Sequence, residues 1–386
     1  MSSVIPLTEE YFRSAIKLSE YAFQYSVPEE KIEERLEHLR QNHKLFGVVQ
    51  NGELAAKLHL IPLESFFGAK KIKMGGIAGV ATFPEYRRKG YVKDLLTYTL
   101  EYMNDNGYLV SMLHPFSVPF YRKYGWELYT NKLIATLKKR DLIQMKPVNG
   151  YIKRFRKEQQ SNEMEAVYKH YAAQFNGMLN RTSEWWKRSV YGDQFAALYF
   201  SSEGTPTGYL LYEIKDNKLV IEEFAALDPE ARHGLWNYIC QHDSMAEEVT
   251  ITMHENEPLL FMLMEPRVKA EVKPYFMARI VNIEKFLQEY DFQRIHLTKE
   301  LVLNITDSYA EWNNRSFVIG AGGVEVSFHE KHRDIDLDIG ALTTILFGYK
   351  RPCELAAAGL ITGEKEKIQL FEDIVPLRKP FMYDFF

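Results

Sequence analysis

Apolar residues return every three or four positions through "TEEYFRSAIKLSEYAF", which predicts an amphipathic helix with Thr8 at its N-cap. "SVPEEKIEERLEHLRQ" predicts a second helix, with Ser26 and Glu29 at capping-box spacing and Pro28 in the first turn. The period then changes. "KLFGVVQ" and "ELAAKLHLIPL" flank Asn51-Gly52, a pair that favours a tight hairpin because both residues accept positive φ. The run "GGIAGVATF" reads as a strand, "YVKDLLTYTLEYMNDNG" as a helix, "YLVSML" as a short buried strand and "VPFYRKYG" as a short helix. A strand pair is expected near "WELYTNKLIATLK". Helices wrapped on a mixed sheet make an α/β (α+β) layer architecture.

"KKRDLIQMKPVNG", polar and carrying Pro147 and Gly150, reads as a linker. Strand grammar then resumes with "FAALYF", "GYLLYEI" and "KLVIEEFAAL", followed by helix-like "EARHGLWNYICQH" and the strand "EVTITMH". The basic run "YIKRFRKE" is expected to be a solvated domain edge. In the last part, "LVLNITD", "SFVIGAGGVEVSFH" and "DIDLDIGALTTILFGY" look strand-like and "PCELAAAGLI" helical, a third small α/β unit. The expected domains are 1–145, 146–288 and 289–386.

Composition narrows the classes. With 386 residues, 46% hydrophobic and 14% aromatic, the chain has material for more than one packed core. A net charge of −4 argues against nucleic acid and is compatible with a cationic small substrate. No apolar run approaches the ~20 residues of a membrane span. "MSSVIPLTEEYF" lacks the layout of a secretory signal, and two cysteines, Cys240 and Cys353, make no disulfide framework. A cytoplasmic protein with no membrane partner is expected.

Candidate chemistry concentrates in "GVATFPEYRRKGYVKDLL". A strand runs into Arg87-Arg88-Lys89-Gly90, which opens a helix, and a helix N-terminus binds phosphate through its unpaired N–H groups. Gly90 permits close backbone approach, and the three cations add charge suited to a polyphosphate. "LDPEARHGL" echoes "FPEYRRKGY", with Arg232 and Gly234 two apart where Arg87 and Gly90 are three apart. The shortened turn, with His233 alone, should not wrap a pyrophosphate. A proton donor is available in "PFYRKYGW", from Tyr121 or Tyr124.

The order of helices, hairpin, strand, R-x-x-G helix, short strand and "FYRKYGW" turn resembles the GNAT family of acetyl-CoA-dependent N-acetyltransferases. Val92 departs from the Gly or Ala usual in that turn. Taken with the second strand-rich segment, a C-terminal unit similar to sterol carrier proteins and an aromatic tail, the whole chain resembles the Eis (enhanced intracellular survival) family. The resemblance implies two GNAT-like mixed-sheet domains, the second degenerate, followed by a sterol carrier protein-like domain that serves as scaffold. It implies that Val80, Ala81 and Thr82 line the pantetheine of acetyl-CoA, that Arg87 and the stretch Arg88, Lys89, Gly90, Tyr91, Val92 and Lys93 surround the pyrophosphate, and that Phe116 and Ser117 touch the donor. Tyr121 becomes the general acid. The base becomes the carboxylate of Phe386, at the end of "KPFMYDFF", with Phe385 and Phe386 anchoring the tail by burial. The acceptor would be a primary amine of aminoglycoside, polyamine or lysine type, and the assembly a homohexamer. The alternatives are transfer of a longer acyl group, or a catalytically decayed module that binds lipid or a partner.

Other candidates carry less. His329 and His332 of "HEKH" sit in a charged turn without a third ligand, so no metal is expected. Neither cysteine has the setting of a nucleophile. His114, in "LHPF", is expected to be a core or supporting histidine, and a docked C-terminal strand is the plainest expectation for the tail.

Overall fold

The computed structural model describes residues 3–156, 159, 161–293, 299–327 and 333–386; His329 and His332 lie outside them. The first third runs β1 (Val4–Pro6), α1 (Phe12–Phe23), α2 (Ile32–Asn42), β2 (Lys44–Gln50), β3 (Glu53–Phe67), β4 (Lys70–Thr82), α3 (Tyr91–Asp105), β5 (Val110–Leu113), α4 (Val118–Arg122) and β6 (Glu127–Lys138). The middle contains β7 (Tyr151–Phe155), α5 (Asn162–Ala172), α6 (Ser183–Trp185), β8 (Phe195–Phe200), β9 (Pro206–Lys215), β10 (Lys218–Ala226), α7 (Pro229–Cys240), β11 (Glu248–Met253), α8 (Leu259–Met262) and β12 (Lys269–Ile280). The last part contains α9 (Ile283–Glu289), β13 (Leu301–Thr306), β14 (Ser316–Gly320), β15 (Gly323–Ser327), β16 (Ile335–Asp338), α10 (Ile339–Phe347), α11 (Pro352–Ala357), β17 (Ile361–Gly363) and α12 (Lys365–Ile374).

The first twelve strands form one continuous sheet in the order β1-β2-β3-β4-β5-β12-β6-β11-β10-β9-β8-β7. Two strands are interleaved: β12 inserts between β5 and β6, while β6 pairs with β11 of the middle segment. "WELYTNKLIATLK" is therefore one long strand, not the expected pair. Its partners lie more than a hundred residues away, so local pattern could not show them. The basic run at 151–155 is the sheet's terminal strand β7, with β8 as its neighbour. A second sheet, β15-β14-β13-β16-β17, carries α10 against β6 and β12.

Most local expectations hold where a steric rule enforces them. Asn51 and Gly52 both take positive φ, 53° and 82°, in the β2–β3 turn. Two capping expectations do not hold. Thr8 precedes a short 3₁₀ turn and donates to Glu10 instead of capping, and α2 begins at Ile32 after a 3₁₀ turn that follows Pro28. "DIDLDIGALTTILFGY" is not all strand: Asp338 accepts from the Ala341 N–H at 2.7 Å and caps α10. Every residue of α10 is buried, so no polar face marks its helical period.

The tail is extended, yet its only ladder contact among the described residues is a single bridge, Asn176 to Pro380. Successive side chains point to opposite sides. Phe381 and Tyr383 enter the core between α5 and β8–β9, while Met382 enters the core of the third unit.

Candidate active site

The strand expected to meet the donor is β4. β5 pairs with it only at Met74, Gly75 and Gly76. Past Gly76 the two strands part, so residues 77–82 have β3 on one side and, among the described residues, no strand on the other. On the β3 side the register shifts between Lys57↔Ala81 and His59↔Ala78, a bulge that carries Gly79 at φ 54°. The open edge offers backbone groups to an extended ligand as an added strand would.

β4 ends at Thr82, and Arg87 Nε donates back to the Thr82 carbonyl at 3.4 Å. Arg88 adopts φ 63° and Gly90 φ 85°, so the turn bends twice through the left-handed region. A non-glycine residue held there is strained, and such strain clusters at ligand sites. Arg87, Arg88, Lys89 and Gly90 are all exposed, and no side chain caps the N-terminus of α3. Lys89 lies over the Tyr86 ring and Lys93 over the Tyr309 ring. Among the other expected donor contacts, Ala81 and Tyr91 bury their side chains in core clusters, which leaves only their backbone to meet a ligand. Val80, Thr82, Val92 and Ser117 are half-buried, and Phe116 is 73% exposed beside the Tyr121 ring, at 5.4 Å.

In the echo segment the corresponding groups are engaged elsewhere. Arg232 lies within α7 and pairs with Glu257, and a side chain at Gly234 would strike the Tyr199 ring.

Tyr121 sits in α4, 4% exposed, and burial pushes its phenol well above the ordinary value. It therefore stays protonated and able to donate at neutral pH. The turn that carries it is held from a distance. Arg279 of β12, fully buried, donates to the Tyr124 carbonyl and to both oxygens of Asp307 at 2.8 and 2.6 Å. Gly125, at φ 86°, leaves the space that the Arg279 guanidinium fills. Tyr124 packs with Phe120, Tyr309 and Trp126 instead of facing the cavity.

The end of the chain arrives through a buried polar network. Arg181 Nε donates to Asp384 at 2.8 Å and its other nitrogens reach Glu223; Trp185 and Tyr168 also donate to Asp384, at 2.7 and 3.3 Å. Tyr275 donates to the Asp384 carbonyl and Lys132 to the Tyr383 carbonyl. Phe386 then packs half-buried against Phe276, and a side chain at Gly76 would strike its ring. Phe385 is 63% exposed, so the anchor is Phe381 to Asp384 and not the last two residues together. His114, expected to be a core or supporting histidine, is not in the core: it is exposed, lines the cavity and faces Phe385 at 5.0 Å.

These groups meet at a cavity of about 1090 Å³, lined by Ala78–Val80 of β4, Tyr121, Arg181, Trp185 and Phe386. The same wall holds His38, His43 and His59, which sequence reasoning missed. His59 follows Lys57 by two along β3 and so shares its face, a weak signal. His38 comes from α2 and His43 from the single residue between α2 and β2, and only folding brings them up to His59.

The fold and site are those of an acyltransferase. Residues 3–129 match the Acetyltransferase (GNAT) domain, residues 177–280 match a second model of the same description, and residues 283–383 match the Sterol carrier protein domain. The chain carries two GNAT acetyltransferase domains followed by a sterol carrier protein domain, and is similar to the Eis N-acetyltransferases. The N-acetyltransferase Eis of Mycobacterium tuberculosis is 24% identical over 341 residues, 82% of each chain. An uncharacterized N-acetyltransferase of Streptomyces griseus is 22% identical over 78% of this chain and 79% of its own. A probable N-acyltransferase from Enterococcus faecalis superposes with a TM-score of 0.92 at 26% identity, and Eis1 from Mycobacterium abscessus with 0.85 at 17%, each over the whole of both chains. No helix among the described residues is long and apolar enough to cross a membrane.

Proposed function

We propose that the protein transfers the acetyl group of acetyl-CoA to a primary amine of aminoglycoside, polyamine or lysine type. The observation that carries this reading is one cavity lined by the donor strand, a buried protonated tyrosine and the last residue of the tail. The pantetheine arm lies along residues 80–82, and the pyrophosphate sits on the turn from Arg87 to Lys93, where α3 presents uncapped N–H groups. The amine nitrogen attacks the thioester carbon, and a backbone N–H of β4 holds the oxyanion. The C–S bond breaks, and Tyr121 gives its phenolic proton to the thiolate of coenzyme A. The carboxylate of Phe386 takes a proton from the attacking nitrogen and attracts the cationic acceptor. Tyr121 is favoured over Tyr124 because Tyr121 alone of the two lines the cavity.

The test is thiol release from acetyl-CoA, measured with a panel of polyamines, aminoglycosides and lysine peptides. Amine-dependent release with an acetylated product confirmed by mass supports the reading. Coenzyme A binding with no release for any amine would overturn it.

A further inference from the structure

Tyr121 is carried by a very short helix. α4 has five residues, and no side chain caps its N-terminus. A helix of that length is not stable by its own hydrogen bonds, so the position of the phenol depends on what grips the turn that follows. Two N–H groups of that turn close on the tyrosine's own backbone. Tyr124 donates to the Tyr121 carbonyl at 2.9 Å and Trp126 to the same oxygen at 3.3 Å.

The grip on the turn comes from elsewhere in the chain. Arg279 stands opposite Ser111 of β5 in the ladder, and its Nη1 donates to the Tyr124 carbonyl. Nη2 of the same guanidinium donates to both oxygens of Asp307, the residue that follows β13 in the third unit. The guanidinium also lies over the Trp126 ring, at 5.4 Å. Asp307 is itself fixed: its carboxylate accepts from the N–H groups of Tyr309 and Ala310 at 3.1 and 3.2 Å and from the Asn313 amide at 3.0 Å. Arg279 Nε has no hydrogen-bond partner among the described residues, so Asp307 and the Tyr124 carbonyl set the orientation of the group between them. A guanidinium is planar and rigid, and anchoring Nη2 on the carboxylate aims Nη1 at the carbonyl. Both side chains are buried, at 0% and 1% exposure. A buried ion pair gains little stability, because both charges lose their water; what this one supplies is direction.

We propose that Asp307 is a positioning residue for the Tyr121 acid, acting through Arg279 and the Tyr124 carbonyl, so that the third unit takes part in acetyl transfer and is more than a scaffold. The inference rests on the acetyl-transfer reading. The step concerned is the collapse of the tetrahedral adduct. Its C–S bond breaks, the electron pair goes to sulfur, and the phenolic proton of Tyr121 passes to that sulfur. The phenolate left behind takes up a proton that the amine has shed. Such a transfer tolerates little displacement: a shift of about 1 Å caused far from the chemistry costs up to about 10²-fold.

The experiment is a double-mutant cycle on the full chain. Asp307→Asn keeps the shape of the side chain and removes the charge that aims the guanidinium. Alone, it should lower kcat by up to about 10²-fold while the KM for acetyl-CoA holds. In a Tyr121→Phe protein the same substitution should cost almost nothing more, because the acid it positions is already gone. The slow turnover there is followed by the mass of the acetylated product. If Asp307→Asn does not fold, Arg279→Lys replaces it: the ammonium keeps a charge opposite Asp307 and lacks the rigid second nitrogen that meets the Tyr124 carbonyl. An equal loss of kcat in both backgrounds would overturn the proposal and leave the clamp a packing role. Parental kcat in a folded variant would overturn it as well. Absent amine-dependent turnover in the parent would instead refute the acetyl-transfer reading.

Discussion

Arg181 donates its Nε proton to Asp384 at 2.8 Å, so a residue two positions from the end of the chain is tied to the segment that leads into α6. Both side chains are 1% exposed, and Glu223 supplies the second carboxylate on the same guanidinium. The pair makes the placement of Phe386 a consequence of a buried charge network. Replacing Arg181 with Met leaves two buried carboxylates without the guanidinium that bridges them, which should cost about 3–5 kcal/mol in denaturant unfolding. Asp384→Asn should lower acetyl transfer while coenzyme A binding persists, because the donor site proposed above lies on β4 and α3.

Charge on the turn before α3 bears on the donor. Arg88 and Lys89 are exposed, so Arg88→Ala with Lys89→Ala should leave the melting temperature near the parent's. The KM for acetyl-CoA should rise more than kcat falls. Calorimetry showing unchanged coenzyme A affinity would place the pyrophosphate elsewhere. Arg232→Ala, whose partner is Glu257, should reduce stability and leave that affinity alone.

Tyr121→Phe deletes only the hydroxyl of a residue that lines the cavity and keeps the ring that packs on Phe116 and Phe120. Turnover should fall about 10²-fold or more, with folding and coenzyme A binding retained. Tyr124→Phe should be mild. The reverse ranking would transfer the acid role to Tyr124.

One glycine added after Phe386 moves the terminal charge by about 3.3–3.6 Å. The anchor from Phe381 to Asp384 is untouched, so the melting temperature and coenzyme A binding should match the parent. Acetyl transfer should be lost, since a displacement of this size removes most of a positioned group's contribution. Full activity in the extended protein would remove the carboxylate from the mechanism.

Acid should destabilise the protein partly through His43. Its folded value is about 3 against the usual 6.5, so between those limits the unfolded chain binds a proton that the folded one refuses. That contribution to stability is complete above 6.5 and is lost as the pH falls from 6.5 toward 3. Lys57, lowered to about 7 from 10.5, adds a separate slope in which stability rises with pH between those values. Thermal melts should show a smaller loss between pH 7 and 5 for His43→Gln than for the parent. Lys57→Met should flatten the rise above pH 7.

The strand, cationic turn and helix start expected to receive the donor were legible as structure because they are local. A strand, a cationic turn and a helix start within fifteen residues present their amides to one place, whatever else the chain does. The Asn51-Gly52 turn was legible for the same reason: sterics at two residues decide it. The interleaving of β6 and β12 was not, because strand pairing at that distance depends on which edges remain open once both modules have formed. Nor was the role of Arg279, whose guanidinium fills the space that Gly125 leaves and thereby holds the tyrosine turn.

By itself, then, the sequence determined many of the local elements, where a cationic turn opens a helix and which tyrosines could donate a proton, since each follows from interactions within a few residues. The tertiary structure alone decided that Tyr121 and not Tyr124 faces the cavity, that Asp384 and not Phe385 anchors the tail, and that His38 of α2, His43 just after α2 and His59 of β3 stand in line with Lys57. Those outcomes depend on which side chains are removed from water together. A buried charge or ring nitrogen takes its role from the partner it finds there, and that partner lies far away along the chain.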